Sequence, residues 1–263
     1  MGALADLPAY LRRIGLGAPP PANAEGLAAL HRAHAGAIPF ENLDILLGRE
    51  IRLDLPSLEA KLVAARRGGY CFEQNTLFAA VLADAGFRVT PLAARVRLGG
   101  RTDGPRTHML LAVRAEGRDW LCDVGFGGGG PWEPLPLEPC GEIAQGLWRF
   151  RLVEDGGERV LQNRDPSGWR DLYGFTLEPQ RPADYAVANH YTSTHRDSSF
   201  TKVAVAQRTS ATGALVLRGD VLQTMRPGEA PAETPAPEGD ALLDLLRERF
   251  GLDFPAGTRF RPL

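Results

Sequence analysis

The sequence predicts an α+β chain: a helical bundle first, an antiparallel β-barrel next, and a mixed α/β segment at the C-terminal end. Three observations carry this reading. Apolar residues recur at helical spacing as far as Gly86. From Phe87 they alternate as in half-buried strands, with Gly and Pro turns between the runs. A clear helical stripe returns only at Leu242, Leu243, Leu245, Leu246 and Phe250. The expected division is therefore 1–86 (helical), 87–188 (barrel) and 189–263 (α/β). A chain of 263 residues is long enough for a sizeable core and more than one domain.

In chain order, Leu7, Leu11 and Ile14 predict a short helix that stops near Gly15 and Gly17, before the proline turn at 19–21. A second helix begins near Asn23, with Leu27, Leu30, His31 and His34 on one face. The two histidines adjoin, but no third ligand is placed beside them, so they are read as surface or capping residues. Residues 38–47 are too irregular for a helix and read as a buried loop around Phe40. Ser57 is expected to cap a helix over 58–65. A further helix runs over 72–85 and closes at Gly86, with Phe78, Leu82 and Ala85 inward and Glu73 and Gln74 in its first turn. An ion pair of Glu73 with an arginine is possible there.

Strands are expected at 89–92, 95–98, 107–113, 118–124, 147–153 and 159–162, enough for a barrel or strongly curved sheet. Residues 173–185 read as a crossing segment. The 189–200 stretch, with His190 and His195, reads as a polar hydrogen-bonded loop. Strand patterns follow at 201–206 and 214–225. Residues 226–240, rich in Pro, Ala and Glu, read as a mobile excursion. The last helix is expected to be capped by Asp240 and ended by Gly251.

Composition excludes several classes. A net charge of −2 with scattered cations gives no basic surface for nucleic acid or an anionic membrane. Lysine occurs only at 61 and 202, so arginine carries nearly all the positive charge. No segment approaches membrane-spanning length and no secretory leader is visible, so a cytoplasmic protein is expected. Cysteines 71, 122 and 140 cannot all pair and lack metal-ligand spacing. The glycine run at 125–130 has neither the Walker lysine nor the dinucleotide spacing, and reads as a flexible turn.

The chemistry centres on residues 66–75, Arg-Arg-Gly-Gly-Tyr-Cys-Phe-Glu-Gln-Asn. The Gly68–Gly69 pair lets the chain turn, and Cys71 falls at the N-terminus of the helix that follows. Exposed N–H groups and the helix dipole favour a thiolate there. Downstream, 107–113 and 118–124 form a hairpin. If its loop is Glu116–Gly117, or four residues around them, Ala115 pairs with Arg118 and Asp123 lies diagonal to His108 on the same face, whereas a three-residue loop would shift the register and spoil the pairing. Trp120 and Cys122 then point the other way, which makes Cys122 core filler. The candidate triad is Cys71, His108 and Asp123.

These segments, together with Ile38-Pro39-Phe40-Glu41-Asn42, Thr107-His108, the Asp-Val-Gly-Phe-Gly run at 123–127 and Ser193-Thr194-His195 with Ser199-Phe200, resemble the arylamine N-acetyltransferase family. Arg196 departs from the proline usual in that family. The resemblance implies a cysteine-protease-like Cys-His-Asp arrangement and a C-terminal α/β lid over the site. It implies acetyl-CoA as acyl donor without a metal, and an arylamine or arylhydrazine as acceptor. It further implies transfer through acetyl-Cys71, and a pocket lined by Phe40, Thr107, Phe126, Gly127 and Phe200. Three rivals share parts of the pattern: an amide synthase acting on a carrier-bound acyl chain, a cysteine peptidase or transglutaminase, and a noncatalytic binding protein. The papain-like Cys-Gly-Ser-Cys-Trp signature is absent. Oligomeric state is left open.

Overall fold

The computed structural model describes residues 4–146, 148–165, 167–226 and 229–262. Four helices come first: α1 (Leu7–Arg13), α2 (Ala24–Ala37), α3 (Leu55–Leu58) and α4 (Cys71–Asp84). Asn23 caps α2 as expected, its side chain accepting from the Gly26 amide at 2.8 Å. Asp54, not Ser57, caps α3: its carboxylate accepts the Ser57 amide at 3.1 Å, and Pro56 fits the first turn, where no N–H is required. The helix thus starts earlier than expected and continues as a wider turn through Glu59–Ala64. Leu77, Phe78, Val81 and Leu82 of α4 are fully buried, each worth roughly 1.5–3 kcal/mol in water-exclusion.

A short strand, β1 (Phe40–Glu41), interrupts this helical part. The barrel strands follow: β2 (Arg88–Val96), β3 (His108–Ala115), β4 (Arg118–Cys122), β5 (Leu135–Pro136), β6 (Cys140–Gln145), β7 (Trp148–Asp155), β8 (Glu158–Asp165) and β9 (Gly168–Phe175). They make one antiparallel, barrel-like sheet in the order β5-β4-β3-β2-β9-β8-β7-β6, left unpaired between β5 and β6. Leu147, expected in a strand, lies outside the described residues.

Beyond the barrel come α5 (Pro182–Thr194), β10 (Val205–Ser210), β11 (Gly213–Arg218), β12 (Val221–Met225), β13 (Ala232–Pro235) and α6 (Gly239–Leu245), the last continuing to Phe250. Three expectations are corrected here. The polar loop expected over 189–200 is, to Thr194, the second half of α5, whose weak apolar stripe hid it; the helix also runs across the expected 188/189 division. The excursion expected at 226–240 contains β13, which pairs with β12 from Val221↔Pro235 to Thr224↔Ala232 and leaves its own residues exposed at the sheet edge. Asp240 does not cap the last helix; its carboxylate accepts from the Gly257 amide and Arg259 instead. Gly251 does end that helix, at φ 72°.

The second sheet runs β1-β10-β11-β12-β13, so its first strand comes from the helical part of the sequence. Glu41 donates its amide to Gly69 O at 3.1 Å, and Phe40 bridges Gly69, which ties this sheet to the loop before Cys71. The close approach explains Gly68: a Cβ there would sit 2.2 Å from Pro39 O. Contrary to the expected role of the Gly68–Gly69 pair, the left-handed residue of this loop is Arg66, at φ 54°. The glycines supply room.

A buried ionic network holds the same loop. Arg67 binds Glu41 at 2.6 Å and Asp44 at 3.2 Å, and Lys61 binds Asp44 at 2.9 Å and Glu73 at 2.7 Å. Glu73 therefore pairs with a lysine, where an arginine was considered. Its second oxygen accepts the Tyr70 amide at 3.1 Å, closing the start of α4. Breaking one partner of such a network costs about 3–5 kcal/mol because it strands a buried charge.

Candidate active site

Glu116 and Gly117 both adopt positive φ, 48° and 75°, as a two-residue hairpin turn of this hand requires. The register is the expected one, Ala115↔Arg118 through Leu111↔Cys122. Along β3, Met109, Leu111 and Val113 face the helices while Leu110 and Ala112 face the barrel core. His108 shares the second parity. Ladder pairing ends at Cys122, and Asp123 reaches back so that its Oδ2 lies 2.7 Å from His108 Nε2. Nε2 is committed to the carboxylate, which leaves Nδ1 as the other ring nitrogen, and Cys71 neighbours the imidazole. Cys71 opens α4 with its Sγ 3.7 Å from Thr107 O. Cys122 is buried on the opposite face, and burial raises its thiol pKa well above the usual value.

The three groups are nearly sealed from water: Cys71 is 4% exposed, His108 3% and Asp123 1%. Burial alone would discharge His108, but the Asp123 carboxylate and the neighbouring Cys71 outweigh it and raise the imidazole to about 10. Burial would likewise raise Asp123, yet His108, Asn75 and the Gly125 amide hold it below the usual carboxylate range. The folded-state pKa of His108 thus exceeds its unfolded value near 6.5. The resulting stabilisation is fully present below that value and is lost as pH rises toward about 10. Urea unfolding across this window is expected to show wild-type stability falling with pH; in His108→Gln that component of the slope should vanish. Equal slopes in the two proteins would contradict the ion pair.

Asn75 stands one turn after Cys71 on the same helix face. Its Nδ2 donates to Asp123 Oδ1 at 3.0 Å and Met109 O at 2.7 Å, and its Oδ1 accepts the Val124 amide at 3.2 Å. One amide therefore fastens the helix that Cys71 opens to the loop of Asp123. Gly125 permits the contact, since a Cβ there would lie 2.7 Å from Cys71 Cα. Asn75 was quoted in the motif without a role; its i+4 spacing from Cys71 was the available signal.

His31 and His34 are fully buried, which corrects their reading as surface or capping residues. Burial lowers them to about 4 and about 3, so both are neutral. His31 Nδ1 donates to Trp132 O at 3.1 Å, and its Nε2 accepts the Asp123 amide at 3.2 Å. His34 accepts from Tyr10 and donates to Gln74, which donates to Gly69 O at 2.7 Å. His31 thus braces the Asp123 backbone and His34, through Gln74, the loop before Cys71, each in a fixed tautomer. Among the described residues, no group of three or more His, Cys, Asp or Glu is arranged to hold a metal.

Of the expected pocket residues, Phe40, Phe126 and Gly127 line one narrow cavity of about 30 Å³ with Asp123, Trp132 and Gln207. Phe126 stands edge-on to His108, ring centres 5.2 Å apart. Phe200 lies behind, 5.9 Å from Phe40 and 5.8 Å from Tyr70, outside that cavity's lining. Thr107 reaches Cys71 through its backbone carbonyl. Tyr173, Trp132 and Gln207 carried no sequence signal. The Tyr173 ring is 4.7 Å from His108, and its buried hydroxyl neighbours Asp123 without a well-formed hydrogen bond.

A family model for N-acetyltransferases matches residues 23–258. The chain is 40% identical over 253 residues to the arylamine N-acetyltransferase / N-hydroxyarylamine O-acetyltransferase of Salmonella typhimurium, covering 94% of this chain and 88% of that one. A solved structure of the Mycobacterium marinum arylamine N-acetyltransferase in complex with CoA superposes with a TM-score of 0.89 at 38% identity, covering 94% and 93% of the two chains. The proansamycin X synthase of Amycolatopsis mediterranei is 36% identical over 185 residues, 68% of this chain and 71% of that one.

Proposed function

The chain belongs to the arylamine N-acetyltransferase family, and from that premise we propose that it moves acetyl groups from acetyl-CoA to arylamines by double displacement through Cys71. The observation that supports the mechanism is His108 held at 2.7 Å by Asp123 through Nε2, with Cys71 as the other group that raises its imidazole. The thiol proton rests on His108, whose raised pKa keeps it there, and Asp123 orients and stabilises the imidazolium, so the Cys71 sulfur attacks as the thiolate of that pair. The Cys71 sulfur attacks the thioester carbonyl; CoA leaves as a thiol with the proton returned by His108, and acetyl-Cys71 remains. An arylamine then attacks that carbonyl, its proton passes to His108, and the Cys71 thiol is restored.

Thioester exchange is nearly balanced and amide formation runs downhill, so the second step gives the sequence its direction. Backbone N–H groups opening α4 supply the oxyanion contacts. An aniline suits the site because it arrives neutral and nucleophilic. The cavity beside Asp123 holds little more than one water, so a ring enters it only if a wall yields. The cytoplasm fits the free thiols, and no described helix is long and apolar enough to cross a membrane.

The likeness to proansamycin X synthase supports a second reading, in which Cys71 accepts a long acyl chain and closes an amide. Incubation with acetyl-CoA and no acceptor, followed by intact mass and peptide mapping, separates the two. We expect one acetyl group on Cys71, discharged when an arylamine is added. A Cys71 that stays unmodified yet alkylates with iodoacetamide would remove acetyl-CoA as donor and bring the synthase reading forward.

A further inference from the structure

A second cleft, of about 500 Å³, opens where the ends of α1 and α2 meet β10. It is lined by Arg12, Arg13, Arg32, Arg66 and Arg208 and, among the described residues, by no acidic side chain. The chain carries 30 cationic and 32 acidic residues, so five of one sign and none of the other is not what scattering produces. The five also differ in what they do. Arg13 is 8% exposed and spends its guanidinium on backbone carbonyls: Leu62 at 3.0 Å, Ala37 at 2.8 Å and Arg66 at 3.3 Å. It thereby satisfies carbonyls at and just beyond the ends of two helical segments that would otherwise repel an anion, and leaves a positive charge at the cleft floor. Burial first, then the Arg66 and Arg208 charges, pull it down to about 10, which places all three guanidiniums in each other's field.

Arg32 reaches Glu133 at 3.1 Å. Among the described residues, Arg12, Arg66 and Arg208 have no carboxylate within ion-pair distance. Arg66 is exposed and held at φ 54°, a conformation costly for a side chain with a Cβ. Like charges gathered without counter-charge repel, and an anion with several oxygens relieves that repulsion; planar guanidiniums match phosphate oxygens two at a time. The volume suits a small molecule.

We propose that this arginine cleft is a binding site for a phosphoanhydride or phosphate-ester group, separate from the Cys71 cavity and back to back with it. The two share walls. Gln207 and Thr209 of β10 line the Cys71-side cavity and Arg208 lines this one; Ala35 and Ile38 stand on the first side and Gly36 and Ala37 on the second. An anion held by Arg66 and Arg208 therefore bears on the same backbone that places Phe40 and Gln207.

Two sources share this chemistry: a free polyphosphate, and the nucleotide end of the acyl donor. The test is isothermal titration of inorganic pyrophosphate into wild type, Arg66→Gln, Arg208→Gln, the double variant, and Arg88→Gln as an exposed control away from the cleft. One pyrophosphate per chain is expected, weakened roughly tenfold or more by each cleft substitution and unchanged in the control. Repeating the titration with acetyl-CoA present assigns the source. Arginine-dependent binding that acetyl-CoA leaves intact supports the separate site and a free polyphosphate; arginine-dependent competition keeps the anion site but overturns its separateness, making it part of the donor site. No saturable binding, or binding that survives the double substitution while circular dichroism shows native folds, overturns the proposal.

Discussion

Cys71→Ala is expected to lower acetyl transfer by at least ~10⁴-fold, the scale at which loss of a nucleophile leaves only binding and electrostatic contributions. The fold should survive. Cys71 is a small residue at the start of a helix whose buried face is built by Phe78, Val81 and Leu82, so alanine removes one sulfur from a wall of larger groups. The measurement is steady-state acetylation of an aniline with acetyl-CoA, read with a thermal melt and a binding titration of CoA. A variant that keeps more than a hundredth of wild-type turnover would remove Cys71 from the chemical path. Loss of turnover with intact CoA binding is what distinguishes a reacting atom from a packing atom.

Asp123→Asn is expected to lower kcat/KM by roughly 10³–10⁴-fold, through tautomer and charge. An amide nitrogen facing His108 Nε2 can donate, which puts the proton on Nδ1, where the Cys71 proton must go. The carboxylate also accepts from Asn75 and the Gly125 amide, at 3.0 and 2.9 Å, so an asparagine oxygen can retain those contacts while losing its charge. The variant should therefore fold, and the alkylation of Cys71 by iodoacetamide should slow alongside turnover. Unchanged alkylation with depressed turnover would place Asp123 in acceptor handling instead of thiol activation.

The parts of this arrangement that could be read beforehand are those set by local periodicity. The hairpin register was legible once the loop length was given, because a two- or four-residue loop leaves one pairing and strand side chains alternate; the positive φ of Glu116 and Gly117 is what excludes a three-residue loop. Cys71 at a helix start followed from the interrupted pattern before it. What escaped was placed by distant contacts. Asn75 depends on β3 and the 123–125 loop, and the burial of His31 and His34 depends on Tyr10, Gln74 and Trp132 closing over them. An apolar stripe containing two histidines does not reveal whether solvent or protein lies beyond it. The helix α5 was missed because its buried positions are Tyr185, Asn189, Thr192 and Ser193, chosen for hydrogen bonds. Asn189, for example, donates to Ile51 O at 2.8 Å. β13 was missed because every residue of an edge strand facing water can be polar, and its order comes from pairing alone.

The pairing of β1 with β10 sets the order in which competence is acquired during synthesis. Phe40 and Glu41 meet Gln207 and Ala206, and Asn42 exchanges hydrogen bonds with Phe200, Val203 and Val205, more than 150 positions later. At about 5–20 residues per second, a nascent chain therefore carries Cys71, His108 and Asp123 outside the ribosome for on the order of ten seconds before the strand that braces the cysteine loop exists. During that interval the loop lacks its partner and the long-range closure has not been made. The chain emerges without that brace, and Cys71 acquires a fixed address only when nearly the whole chain has been made.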